Sequence, residues 1–209
     1  AVPVLLGRSS RANTALVDRR SSCGSGHQRI SPAAASAPYA DAPIFDHVLV
    51  SEPLTASQLS DIGWAENQGL TDIGNQFHYY RRTPDDRILW GGYYAIYYRG
   101  NQTDPRLEDR ASSHELLARQ FFATFPQLEG LRFTHKWAGL IDSTSRFTPV
   151  IGTAMGGRVA YSVGYTGLGT AARRFGALSM LDLLDRFHTE RTSLDNVRRK
   201  PFPVPPEPL

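Results

Sequence analysis

The sequence predicts an α+β chain, in which an antiparallel, aromatic-rich sheet with one helix precedes a final strand, glycine turn and helix. Three stretches carry that prediction. Residues 76–92 hold two strand-forming runs separated by Pro84-Asp85-Asp86, the pattern of a hairpin. Residues 112–126 place Leu116, Leu117, Phe121, Phe122 and Phe125 at helical intervals. Residues 158–170 pass from strand alternation into a glycine-rich turn, and an amphipathic run follows.

Taken in order, residues 1–42 are dominated by Arg, Ser, Ala, Gly and Pro, and Ser31–Pro38 is low in complexity. No strand or helix period persists there, so this segment is expected to be poorly ordered. The composition changes at Pro43, where Phe45-Asp-His-Val-Leu-Val50 reads as a strand closed by Glu52-Pro53. Thr55 is placed to cap a short helix through Gln58 and Leu59 that ends at Gly63. Gln76-Phe-His-Tyr-Tyr-Arg81 then pairs with Ile88-Leu-Trp-Gly-Gly92. Tyr93, Tyr94, Tyr97 and Tyr98 extend the aromatic run, which either lines an apolar pocket with hydroxyl handles or packs as core and edge of the sheet. Ser112-Ser-His-Glu115 reads as a capping box for the helix that ends at Pro126. Arg132–Ile141 alternates as another strand. The resulting divisions are 1–42, 43–140, 141–189 and a polar, Pro-rich tail over 190–209.

The last unit organises the rest. Val159, Tyr161 and Val163 alternate with Ala160 and Ser162, and Gly164, Gly167 and Gly169 permit positive φ where the chain turns. Ala171, Phe175, Leu178, Leu181 and Leu184 then mark the expected buried face of a helix. The turn therefore sits at a helix N-terminus, where free amides and the positive dipole end suit an anion, a phosphate or an electron-rich ring oxygen. The plain alternative is a tight connection and nothing more. Gly167-Leu-Gly169-Thr-Ala-Ala172 fits a loose dinucleotide pattern, but that motif requires a second parallel strand ending in an acid about 20 residues on. After Phe187 the chain is polar and then Pro-rich, so a nicotinamide fingerprint is excluded.

Composition removes other classes. With 209 residues, 41% of them hydrophobic, the chain can bury a core as one or two domains. A net charge of +3 without a basic stripe does not argue for nucleic acid. Arg173-Arg174 and Arg198-Arg199-Lys200 read as solvated clusters. The single cysteine, Cys23, excludes an intrachain disulfide and a cysteine metal cage, and it points to a reducing compartment, with a cytoplasmic location expected. No apolar run reaches the ~18 residues of a membrane span. The histidines show no metal-ligand spacing, no Gly-x-Ser-x-Gly elbow exists, and Asp85-Asp86 and Glu108-Asp109 sit in turns. No metal site is expected. Any catalysis must then be carried by a cofactor.

From about Ile44 to Leu209 the chain resembles the C-terminal part of the FAD-dependent amine and amino-acid oxidases of the D-amino-acid oxidase superfamily, most of all the bacterial gamma-glutamylputrescine-oxidase-like branch. The resemblance rests on Phe45–Leu54, Ile88–Gly92, Trp137 with Phe147–Gly152, and Gly164–Gly169. It implies FAD as cofactor, a substrate domain over 43–140, and a return over 141–189 to an FAD-binding, Rossmann-like domain. That domain is incomplete here, because the family's N-terminal Gly-x-Gly-x-x-Gly unit has no counterpart and residues 1–42 look unlike the family. Flavin contacts are implied for Gly164, Tyr165, Thr166, Gly167, Leu168 and Gly169, with Thr148 and Pro149 beside the ring, and substrate contacts for His78, Tyr80 and Trp137. The implied reaction removes hydride from the carbon next to an amine nitrogen, giving an imine that hydrolyses. Thr170-Ala-Ala172 stands where carboxylate-oxidising relatives carry a basic residue, which favours an amine over an amino acid. No cysteine lies in Trp137–Ile141, so a thiol-linked flavin is not expected. The other expectation is a non-catalytic remnant or small binding module, and what separates the two is whether a nucleotide-binding half exists in cis or in a partner chain.

Overall fold

Strand pairing in the aromatic region follows from local chemistry. Thr83 N–H donates to the Arg87 carbonyl at 2.8 Å and Asp86 takes a positive φ of 62°, closing the turn that joins two short strands. The computed structural model describes residues 15–18, 41–199 and 202. Cys23, the expected disorder of residues 1–14 and 19–40, and the Pro-rich end apart from Phe202 lie outside the described residues. In chain order the strands are β1 (Ala15–Asp18), β2 (Asp41–Ser51), β3 (Gly69–Thr71), β4 (His78–Arg82), β5 (Ile88–Gly92), β6 (Ile96–Tyr97), β7 (Phe133–Thr144), β8 (Val150–Ala154) and β9 (Val159–Val163). The helices are α1 (Ala56–Asp61), α2 (Ala111–Thr124), α3 (Gly169–Asp185), α4 (Glu190–Ser193) and α5 (Asp195–Arg198). Contacts divide the chain into two units, one of Phe45–Tyr97 with Thr103–Gly139, the other of Tyr98–Gln102 and Leu140–Leu209 together with the described residues up to Ile44.

In the first unit the strand order is β3-β4-β5-β2-β6, and β7 also pairs with β2. Within it β4 and β5 pair from His78↔Gly92 to Arg82↔Ile88, and Leu49 of β2 faces Trp90. Leu49, Ile88 and Trp90 pack with Leu117 and Phe121 of α2 in one apolar cluster. Thr55 caps α1 as expected, and Gln58 adds a return bond to the Thr55 backbone that completes a capping box. For α2 the expected box is corrected. Arg110 is the N-cap, and Ser112–Glu115 lie inside the first turn, because the N–H groups of Ser113 and His114 already close on the Arg110 carbonyl. Ser113 is buried there and cannot serve as a cap. The helix stops at Thr124, since the residue before Pro126 is held out of the α region. A Cβ on Gly91 would lie 2.6 Å from the Tyr79 ring. Gly91→Ala is therefore expected to cost about 1–3 kcal/mol of stability; an unchanged urea midpoint would contradict that packing.

In the second unit β8, β9 and β1 form an antiparallel sheet in the order β1-β9-β8, and α3 covers it through Ile151, Ala160, Met180 and Leu184. β1 corrects the expectation that residues 1–42 hold no strand: Ala15–Asp18 pairs with Val159–Ser162 along the free edge of β9. The buried face of α3 is also corrected. Leu178 is 37% exposed and Ala171 is exposed, whereas Gly176, Ser179 and Met180 are buried with Leu184. The cause is close approach. A Cβ on Gly176 would lie 2.3 Å from Tyr165 Oη and 2.9 Å from Ser162 Oγ, so the helix meets β9 over its small residues. On β9 it is accordingly Ala160 and Ser162 that are fully buried. The polar stretch after α3 folds into α4 and α5, and Arg146 donates to the backbone carbonyls of Asn196 and Arg199 at the end of α5. No helix among the described residues is long and apolar enough to cross a membrane.

Candidate functional site

The turn between β9 and α3 is built on an acid that lies 22 residues earlier in the chain. Gly164 N–H donates to Asp142 Oδ2 at 2.6 Å, and Thr166 N–H donates to the Asp142 carbonyl at 2.8 Å. Thr144, two residues on, donates through Oγ1 to the Thr148 carbonyl at 2.9 Å and through its N–H to Thr166 Oγ1 at 3.3 Å. Asp142 and Thr144 thus bind the 145–149 turn and the glycine turn into one rigid corner. Gly164 has φ 72°, and a Cβ there would lie 2.0 Å from Thr144 Cγ2, so this position admits glycine alone. Gly167 has φ 81° but, among the described residues, only Ile141 Cδ1 nearby, at 3.8 Å. Its outer side is open.

Helix α3 begins behind that corner with Leu168 as N-cap, no side-chain cap bond and no acidic residue in its first turn. Ala172 N–H makes an early intrahelical bond, to the Leu168 carbonyl, so the amides of Gly169, Thr170 and Ala171 precede it. Amides so placed, with the positive dipole end, stabilise an electron-rich group brought against them. Of the residues expected to meet a cofactor, Gly164–Gly169, Thr148 and Pro149 lie together in this one unit. Leu168 and Thr148 are exposed, Pro149 is buried, and the Tyr165 ring turns inward onto Ser162 and Gly176. Burial there pushes the Tyr165 hydroxyl above the ordinary tyrosine range. Sequence reasoning missed Asp142 and Thr144. The available signal was an acid at the end of an alternating strand, where a glycine turn needs an acceptor.

The expected substrate residues lie in the other unit. His78 is stacked between Trp90 and Tyr93, at centroid distances of 4.4 and 4.8 Å, with Nδ1 2.8 Å from Asp72 Oδ2 and Nε2 3.1 Å from Gln120 Oε1. Tyr80 packs against Trp64, Trp90 and Phe125. Trp137 stands on β7, 40% exposed, and no ring contact joins it to either. Strand alternation places Tyr79 on the sheet face opposite His78 and Tyr80. Its hydroxyl donates to Asp46 Oδ2 at 2.6 Å. Burial pushes the Asp46 carboxyl up, opposed by that bond and by the Gly92 N–H, and burial also raises the Tyr79 hydroxyl. This pair, 33 residues apart in sequence, was not anticipated.

One histidine pair was also unforeseen. The rings of His47 and His114 meet edge to face at 5.2 Å, both buried, and neither ring nitrogen of His47 has a hydrogen-bond partner among the described residues. Burial drives His47 down to about 4, and the positive charge of His114 and Arg110 adds to the shift. Among the described residues no group of His, Cys, Asp and Glu is arranged to hold a metal ion.

Comparison with known proteins places the chain in a family. Residues 11–173 match the model described as DAO, FAD dependent oxidoreductase. The match begins well ahead of Ile44, so the expectation that residues 1–42 are unlike the family is corrected for residues 11–42. The chain is 28% identical over 139 residues to gamma-glutamylputrescine oxidoreductase of Escherichia coli (strain K12), covering 66% of this chain and 30% of that protein. It is 27% identical over 134 residues to the probable oxidoreductase OrdL of Haemophilus influenzae, covering 62% and 26%. The crystal structure of L-proline dehydrogenase from P. horikoshii has a similar fold, with a TM-score of 0.54 at 18% identity over 72% of this chain and 37% of that one. The chain therefore spans less than a third of the length of either curated relative.

Proposed function

The chain belongs to the FAD dependent oxidoreductase family, and from that premise we propose that it serves in oxidising an amine or amino acid to an imine, with the glycine turn before α3 holding the electron-rich edge of the flavin. The observation that carries the reading is the uncapped N-terminus of α3 behind a turn locked by Asp142. The residues present fit a flavin: Gly167 leaves room for close approach, and the amides of Gly169, Thr170 and Ala171 offset negative charge. When bound, FAD supplies the two-electron acceptor that no side chain here provides. Thr148 and Pro149 flank the same corner, and Tyr165 and Thr166 contribute backbone to it.

For the substrate, an amine is the better match than an amino acid, because Thr170-Ala-Ala172 offers no cation to a carboxylate. Trp137 keeps an exposed ring face for it. His78 and Tyr80 act through the sheet they hold. The same sheet belongs to the substrate domain of the proposed flavoprotein, and 141–189 to the return into its FAD-binding domain. The remaining nucleotide-binding half is proposed to come in cis or from a partner chain.

The test is the visible spectrum of the purified chain before and after adding FAD. A bound-flavin spectrum, followed by bleaching with amines, is the expected result once the nucleotide-binding half is supplied. If neither the chain alone nor the chain joined to a relative's nucleotide-binding half retains flavin, the reading fails and a non-catalytic remnant replaces it.

A further inference from the structure

Helix α3 ends on Arg186 in the left-handed conformation, φ 59°, a cap position that glycine fills at lower cost. Backbone strain of this kind concentrates where a side chain has a task of its own. Just before it, buried Asp182 accepts Thr189 Oγ1 at 2.7 Å and the Arg191 guanidinium at 2.7 and 3.0 Å through one oxygen, Oδ2. Those bonds hold the start of α4 against the end of α3. The hook so formed borders an open pocket of about 580 Å³, lined by Arg186, His188 and Arg198 beside the apolar surfaces of Leu183 and Phe187.

The charges around this cavity are unevenly used. Arg191 is paired with Asp182, Arg199 with Asp195, and Arg146 with backbone carbonyls. By contrast, the guanidiniums of Arg186 and Arg198 and the ring of His188 make no hydrogen bond or ion pair with any described residue. Glu190 is the one acid among the described lining residues, and that lining is net positive. The N–H groups of Arg186 and Phe187 are spent on the carbonyls of Leu183 and Asp182, and the negative end of the α3 dipole lies here. Attraction for an anion must come from the two guanidiniums together, and two planar forks suit a dianion that each can engage.

We propose that this cavity binds a phosphomonoester, its phosphate held by Arg186 and Arg198 and its organic part lying against Leu183 and Phe187. The site is independent of the flavin reading and is tested without flavin. Titration of the full chain with phenyl phosphate by calorimetry is expected to show saturable one-site binding that weakens at least about tenfold in Arg198→Gln and in Arg186→Gly. Arg186→Gly is the sharper variant. Glycine relieves the cap strain, so the urea midpoint holds or rises while binding falls. Phenol is expected not to bind, and inorganic phosphate to bind more weakly than the ester; equal affinity for the two would overturn the role given to Leu183 and Phe187. The site itself is overturned if phenyl phosphate shows no saturation up to about 10 mM, or if both variants bind it as the unaltered chain does.

Discussion

Acidification from pH 7 to pH 4 is expected to remove about 3 kcal/mol of stability through His47 alone. His47 is buried without a hydrogen-bond partner among the described residues, and its folded value is pushed down to about 4, against 6.5 when unfolded. Between those values the unfolded chain binds a proton that the folded chain refuses. Stability is therefore fully present above about 6.5, falls as the pH drops through that window, and levels off below about 4. Carboxylates held low by partners, such as Glu52 by Arg132 and Asp72 by His78, also lose their contribution in acid. The informative quantity is thus the difference between two chains. In His47→Leu the unpaired nitrogens are gone, so stability at pH 7 should hold or rise, and the slope between pH 6.5 and 4 should flatten by one proton. Urea melts followed by the buried Trp64 and Trp90 of the same unit measure both. Superimposable pH profiles for the two chains would remove His47 as the cause.

The parts of the fold that were legible are those whose determinants lie within a few residues. Thr55 and Gln58 cap α1 by themselves, and the turn from Thr83 to Arg87 carries its own closing bond. What stayed hidden depends on what packs where. Periodicity assigns α3 a leucine face, yet the helix is drawn onto β9 over Gly176 and Ser179, because the Tyr165 hydroxyl occupies the space a larger side chain would need. Alternation shows that His78 and Tyr80 share a sheet face and that Tyr79 does not, but it does not say which face α2 covers. The same limit applies at the glycine turn. Its glycines are plain in the sequence, while the acid that locks it, Asp142, is 22 residues away and is joined to it only by folding.

The two glycines of that turn should therefore respond differently to substitution. Gly164→Val places a branched side chain where Thr144 Cγ2 already stands 2.0 Å from the Cβ, at φ 72°. The corner must open, the bonds to Asp142 are lost, and a cost of roughly 3 kcal/mol or more is expected from strain and clash together. Gly167→Val, at φ 81°, pays the backbone strain but among the described residues meets nothing closer than Ile141 Cδ1 at 3.8 Å, so the cost should stay near 1–2 kcal/mol. Its new methyl groups project on the open side, where close approach of a flavin depends on bare backbone. In whichever form of the chain retains FAD, Gly167→Val is expected to lower affinity about a hundredfold, near 2.7 kcal/mol, with the sheet still folded by circular dichroism. The contrast carries the information. If Gly167→Val keeps its flavin while Gly164→Val loses both flavin and fold, the turn is a structural corner and the cofactor lies elsewhere. If Gly167→Val loses flavin alone, the open face of the turn is where the ring is held.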